Sequence, residues 1–144
     1  MSPRAHSSLA KAPQHRVLIV DDEESMRLFL ARILARGLKL EVTLAGTCEQ
    51  ALRLAGNYAY DAILLDLLMP GIGGFEVLKG IRANSANLMT PVIIVSVLAE
   101  QPMRERCMAA GASAYIIKPP ERNTLLATVR AQIAGRTKPK AAGA

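Results

Sequence analysis

The sequence predicts an α/β fold in which five parallel strands alternate with five helices, (βα)5, and the helices cover both faces of the sheet. Two observations carry this expectation. Short runs of consecutive apolar residues alternate five times with segments whose apolar residues recur at helical spacing. The strand-like runs are also unbroken, as strands buried on both faces are, and right-handed βαβ crossovers are the connection that buries them so.

Val17-Leu18-Ile19-Val20 is the first predicted strand, ending at acidic residues. Met26, Phe29, Leu30, Ile33 and Leu34 repeat at helical spacing, and Gly37 offers a stop. Leu40 to Leu44 is the second strand. Thr47-Cys48-Glu49-Gln50 has capping-box spacing, and Cys48, Ala51, Leu52 and Ala55 form the inward stripe of a short helix closing near Gly56. Ala62 to Leu65 is the third strand, ending at Asp66. After the glycine-rich turn at Gly71, Gly73 and Gly74, a helix is marked by Val77, Leu78 and Ile81. Val92 to Val95 is the fourth strand, ending at Ser96. Met103, Cys107 and Ala110 mark a helix that stops near Gly111. Ala114 to Ile117 is the fifth strand, ending at Lys118. Leu125, Leu126, Val129 and Ile133 mark the last helix, which Gly135 is expected to close. The domain is therefore expected over residues 16–135, between a flexible N-terminal arm (1–15) and a flexible basic tail (136–144).

Composition narrows the class. With 144 residues, 51% of them apolar, the chain can bury a core, and its 3 Tyr, 2 Phe and no Trp leave that core to aliphatic side chains. The net charge of +6 is carried by Arg4, Lys11, Arg16, Arg136, Lys138 and Lys140 at the two ends. Between Val17 and Ala134 the charges balance, so the excess reads as solvated tails. No basic patch interleaved with aromatics supports direct nucleic-acid contact. Cys48 and Cys107 form no CxxC pair and read as small core-facing thiols. No apolar run is long enough to span a bilayer, and Met1 to Arg16 lack a signal-peptide core. A cytoplasmic protein without membrane association is expected.

The polar residues are the informative ones. Asp21 and Asp22 follow the first strand, Asp66 ends the third, Ser96 the fourth and Lys118 the fifth. In an open α/β sheet the carboxyl ends of the strands form the ligand crevice, beside the point where strand order reverses. With strand order 2-1-3-4-5, the first and third strands are neighbours there, and three carboxylates converge with a hydroxyl and an ammonium. Carboxylates so close repel one another unless a cation joins them. Mg²⁺, which takes hard oxygen ligands and tolerates phosphoryl oxygens and water, suits the set. Asp66 would then be a nucleophile forming an acyl phosphate, with Ser96 and Lys118 binding phosphoryl oxygens. Singly these residues mean little. Asp21 to Glu24 could be an acidic helix start, Asp66 the start of a turn before Pro70-Gly71, Ser96 a helix cap, and Lys118 a surface lysine. Their joint placement at four strand ends is what those readings do not require.

Four segments then resemble the receiver domain of response regulators, of the chemotaxis-regulator kind, in two-component signalling. They are Val17-Leu18-Ile19-Val20-Asp21-Asp22-Glu23, Tyr60 to Gly71 around Asp66, Pro91-Val92-Ile93-Ile94-Val95-Ser96, and Gly111 to Pro119. The resemblance covers about Arg16 to Ala134 and implies a flavodoxin-like fold. It implies that Asp66 accepts a phosphoryl group from a histidine kinase or phosphotransfer protein in a Mg²⁺-dependent reaction. It also implies that Asp22 ligates the metal directly, Asp21 often through water, and Leu68 through its backbone carbonyl. Ser96 corresponds to the switch hydroxyl, Lys118 to its lysine partner, and Pro119 to the proline after a cis bond. Tyr115 corresponds to the aromatic switch residue, although a half-buried strand tyrosine remains open. Output to an effector protein is implied through the face made by the fourth helix, fifth strand and fifth helix. The protein would then be a phosphoacceptor switch that catalyses only its own phosphorylation and dephosphorylation.

Some positions depart from the commoner pattern. Ser96 stands in place of threonine and Val97 in place of a smaller residue, Leu68 carries no polar group to orient an attacking water, and Pro120 follows Pro119. A long-lived phosphorylated state is expected. Leu68 also stands where an aspartate-based phosphatase would carry its second acid, which disfavours that enzyme class. A phosphorelay intermediate and a fragment of a longer regulator stand as alternatives. A pseudo-receiver is disfavoured by the intact acidic set.

Overall fold

Val17 to Val20 have no polar side chain and are essentially without solvent contact, and the same holds for Ala62 to Leu65 and for Val92 to Val95. In the computed structural model of the chain, which describes residues 14–83 and 86–137, these runs are the three central strands of one parallel sheet. The elements are β1 (Arg16–Val20), α1 (Glu24–Gly37), β2 (Glu41–Ala45), α2 (Cys48–Asn57), β3 (Ala62–Leu65), α3 (Gly74–Ala83), β4 (Val92–Ser96), α4 (Gln101–Ala109), β5 (Ala114–Ile117) and α5 (Arg122–Thr137). The strand order is β2-β1-β3-β4-β5, with every pairing parallel. This is the flavodoxin-like (βα)5 arrangement expected above.

Because strand side chains alternate between faces, the sheet divides its apolar residues into two cores. Leu18, Val20, Ile63, Leu65, Val92 and Ile94 pack with Cys48, Ala51 and Ala55 of α2, Val77, Leu78 and Ile81 of α3, and Cys107 of α4. Val17, Ile19, Ala62, Leu64, Ile93 and Val95 pack with Leu30, Ile33 and Leu34 of α1 and Leu125, Leu126, Val129 and Ile133 of α5. Both cysteines are free and buried. Among the described residues no helix is long and apolar enough to cross a membrane.

Several local expectations are corrected. α1 ends at Gly37, as expected, but the left-handed conformation of the turn that follows is taken by Lys39 (φ 57°) and not by the glycine. A Cβ at Gly37 would stand 2.6 Å from Leu126 Cδ2, so the glycine lets α5 approach α1. β2 begins one residue later than expected because Leu40 turns into the core before Glu41 joins the ladder. Thr47 caps α2 by accepting from Gln50 N (3.1 Å), but the Gln50 amide oxygen reaches past the cap to Gly46 N (2.9 Å). Gly135 does not close α5, which runs to Thr137. Of the expected N-terminal arm, residues 1–13 lie outside the described residues, while the His15 carbonyl accepts from Glu41 N. Residues 138–144 of the expected tail also lie outside them.

Candidate functional site

Each strand ends where its apolar run ends, and the next residue is delivered to the carboxyl edge of the sheet. Asp21 N donates to Ala45 O of β2 (3.1 Å), Asp66 N to Val20 O of β1 (3.0 Å), and Lys118 N to Ser96 O of β4 (2.8 Å). The backbone ladder thus continues one step past the strands and fixes these residues beside one another. The peptide bond between Lys118 and Pro119 is cis.

The side chains meet as the topology requires. Lys118 Nζ lies 2.7 Å from Asp21 Oδ2 and 3.2 Å from Asp66 Oδ2. Asp21, Asp66 and the Lys118 side chain are almost wholly buried, whereas Asp22 is exposed. One carboxylate oxygen each from Asp21, Asp22 and Asp66 lies within 4.8 Å of the others. Asp21 Oδ1 accepts from Glu23 N (2.9 Å), and Asp66 Oδ1 from Leu68 N (3.2 Å).

The electrostatics are under-compensated. Burial pushes the Asp66 carboxyl above its ordinary range. Lys118 and the Leu68 N–H pull it down, and the neighbouring Asp21 charge adds to the rise. For Lys118, burial acts to lower the pKa, but its contacts with Asp21 and Asp66 outweigh that and raise it, so the ammonium stays charged. One ammonium bridging Asp21 and Asp66, with Asp22 beside them, leaves a surplus of negative charge. An all-oxygen donor set with that surplus fits a hard divalent cation such as Mg²⁺, and exposed Asp22 leaves one side open to water and phosphoryl oxygens.

Ser96 and Tyr115 occupy a second position. Ser96 is fully buried, and its Oγ accepts from Leu98 N (3.3 Å). Tyr115, half-buried on β5, donates its hydroxyl to Leu98 O (2.7 Å), and the Arg104 guanidinium lies 5.2 Å from its ring centroid. Ser96 and Tyr115 therefore hold opposite sides of one peptide segment in the β4–α4 loop. Leu68 and Val97, at the rim, are both more than half exposed.

Two contributors escaped the sequence reading. Gly74, read only as part of a turn, has no room for a side chain. A Cβ there would overlap the Asp66 carbonyl oxygen and stand 2.6 Å from Leu67 Cα. Its N–H donates to Leu67 O (3.0 Å), so the start of α3 packs directly on the backbone that presents Asp66. Arg27, in the first turn of α1 and four residues beyond the Val17–Glu23 motif, sends Nη1 back to Asp21 O (2.7 Å). Its spacing on α1 resembled that of any solvated arginine.

Comparison with known proteins agrees with this geometry. The sequence profile of the response regulator receiver domain matches residues 17–130. Response regulator GacA of Pseudomonas aeruginosa is 34% identical over 122 residues, which are 84% of this chain and 56% of GacA. Sensory/regulatory protein RpfC of Xanthomonas campestris pv. campestris is 34% identical over 83% of this chain and only 17% of its own length. The chain thus spans about half of one curated relative and a small part of the other. Among solved structures, the CheY-like receiver domain protein of Methanospirillum hungatei JF-1 superposes with a TM-score of 0.78 at 27% identity, covering 86% of this chain and 97% of its own. The receiver domain of sensor histidine kinase PA1611 from Pseudomonas aeruginosa PAO1, which holds a magnesium ion in its active-site cleft, superposes with a TM-score of 0.77 at 32% identity, covering 85% of this chain and 99% of its own. On the profile match over most of its length and on this shared architecture, the chain belongs to the response regulator receiver domain family.

Proposed function

We propose that this chain is a phosphorylation switch in which Asp66 accepts a phosphoryl group from a phosphohistidine of a sensor kinase or phosphotransfer protein. One observation carries the reading: a single buried ammonium, Lys118 Nζ, bridges Asp21 and Asp66, carboxylates from strands that only the parallel fold brings together. A carboxylate oxygen of Asp66 attacks phosphorus, the phosphorus–nitrogen bond breaks with its electron pair going to the imidazole, and an acyl phosphate remains on Asp66. Asp21, Asp22, Asp66 and the Leu68 carbonyl are the groups that would hold Mg²⁺. When bound, the ion supplies the positive charge that lets anionic donor and anionic acceptor approach.

The remaining roles belong to the chain's own residues. Lys118, already between the carboxylates, donates to a phosphoryl oxygen once the group is attached. The Ser96 hydroxyl leaves Leu98 N for another phosphoryl oxygen. Leu98 is also held through its carbonyl by Tyr115, so its movement reaches the face formed by α4, β5 and α5, where an effector protein would read the state. Phosphorylation then shifts an existing equilibrium between two loop conformations. Leu68 offers no polar side chain to orient water, so slow self-hydrolysis belongs to the same proposal. The protein would act as a switch rather than as an enzyme with an external substrate. Two buried free thiols suit a reducing compartment, and the proposal includes a cytoplasmic location, with neither nucleic acid nor membrane as a direct partner.

Incubation with acetyl phosphate and Mg²⁺ tests the proposal. The protein's mass should rise by one phosphoryl group, and the rise should vanish on chelation and in Asp66→Asn. A mass gain that survives Asp66→Asn refutes the assignment. A second reading, a phosphorelay intermediate within or beside a larger kinase, draws support from the similarity to the receiver of a sensor histidine kinase. Rapid transfer of the phosphoryl group from Asp66 to a purified histidine phosphotransfer protein would favour it.

A further inference from the structure

We propose that Arg27 is a positioning residue for the acidic pair Asp21–Asp22, fixing the β1–α1 loop by its backbone and so setting divalent-cation affinity. The inference rests on the reading of Asp21, Asp22 and Asp66 as a cation site.

The geometry on which it stands is local. Asp21 is held at its N–H by Ala45 O, at Oδ1 by Glu23 N, and at Oδ2 by Lys118. The peptide that joins Asp21 to Asp22 is held through its carbonyl by Arg27 Nη1 at 2.7 Å. That peptide plane sets the direction in which Asp22, the exposed carboxylate of the three, leaves the backbone. Arg27 forms no salt bridge among the described residues, so its head group is assigned to this carbonyl rather than to a carboxylate.

Gly46 completes the arrangement. It follows β2 directly, and a Cβ there would stand 2.8 Å from Arg27 Nη1 and 3.2 Å from its Cζ. The bare backbone of Gly46 is the floor on which the guanidinium rests. Its φ is not in the left-handed region, so alanine fits the backbone, and the atoms in its way are the end of a flexible side chain. Gly46→Ala should therefore displace the Arg27 head and leave Asp21, Asp22 and the strand intact.

Charge and position make opposite predictions for this arginine. A guanidinium near a cation site repels the cation, so if Arg27 acted through its field, removing it would tighten binding. If it acts by holding the Asp21 carbonyl, removing it loosens binding, by roughly tenfold or more on the scale of residues that orient metal ligands.

Mn²⁺ titration of the full chain, followed by electron paramagnetic resonance of the free ion, separates the two without any phosphoryl donor. Arg27→Ala and Gly46→Ala should each weaken Mn²⁺ binding by roughly tenfold, and the double variant should bind no more weakly than Arg27→Ala alone, because both changes remove one contact. Unchanged or tighter binding in Arg27→Ala overturns the inference, as does a full additive loss in the double variant. If the unaltered chain takes up no Mn²⁺, or if Asp22→Asn leaves its affinity intact, the acidic site itself is misread and the inference falls with it. Should Arg27→Ala not fold, Gly46→Ala decides alone: wild-type affinity overturns the inference.

Discussion

At the amino end of the sheet Asn87 and Thr90 are buried, and at the carboxyl end Asp21, Asp66 and Ser96 are buried to the same depth, yet the two groups are treated in opposite ways. Asn87 Nδ2 donates to Ala55 O and Tyr58 O, both at 2.7 Å, and its Oδ1 accepts from Tyr60 N at 2.7 Å. The Thr90 hydroxyl lies 3.0 Å from both Tyr60 O and Asn87 Oδ1. All these groups are neutral and paired, and they tie the loops that precede β3 and β4 to the end of α2. Nearby, Arg82 of α3 donates to Gly111 O, Asn87 O and Leu88 O. The carboxyl end instead buries like charges that one lysine does not balance. A satisfied buried network stabilises a unique fold, whereas an unbalanced one is held by the rest of the structure and is relieved by a ligand. Depth of burial does not separate a folding element from a functional one; electrostatic balance does.

The sharpest way to test the contrast is at Asp66. Asp66→Asn should abolish phosphoryl uptake from acetyl phosphate altogether, as read by intact mass, while the protein remains folded by circular dichroism. Retained uptake would mean that the charge imbalance marks the wrong residue. Gly74→Ala should come next, since the added methyl collides with the backbone that carries Asp66. It should cost roughly 3 kcal/mol in urea unfolding, at the upper end for overpacking, and slow phosphorylation of the molecules that remain folded. Wild-type rates in folded Gly74→Ala would show that α3 does not set the Asp66 position.

Asn87→Ala should break only the amino end. It leaves the Tyr60 N–H and two carbonyls without their partner, at a cost of about 2 kcal/mol. Phosphorylation per folded molecule should be unchanged, and a comparable loss at both ends would mean that the two buried polar groups do not differ in function. The smallest effect should be one of pH. Because burial raises the Asp66 pKa, the folded state binds this proton more tightly than the unfolded chain. The stabilising contribution is complete below the ordinary carboxylate pKa and is lost as pH rises through the raised value. In the presence of EDTA, the melting temperature of the unaltered chain should therefore fall relative to that of Asp66→Asn across this window and run parallel above it. A gap that stays constant with pH would place the imbalance on another carboxylate.

Local sequence specifies the order and kind of the elements, since an unbroken apolar strand is legible from its own residues. It also specifies the candidate set Asp21, Asp22, Asp66, Ser96 and Lys118, because a polar residue that ends a buried strand has only the sheet edge to occupy. The rest depends on packing between distant segments. Gly37 ends α1 as read but is bare because Leu126 packs against it, Gly135 reads as a stop and lies within α5, and Arg27, which no motif marks, holds Asp21. Asn87, in a polar loop, gives no local sign that it joins α2 to the start of β3. The reason is physical: periodicity and strand ends are encoded by neighbours in sequence, whereas a glycine's purpose or an amide's partners depend on atoms tens of residues away that only folding brings within 3 Å.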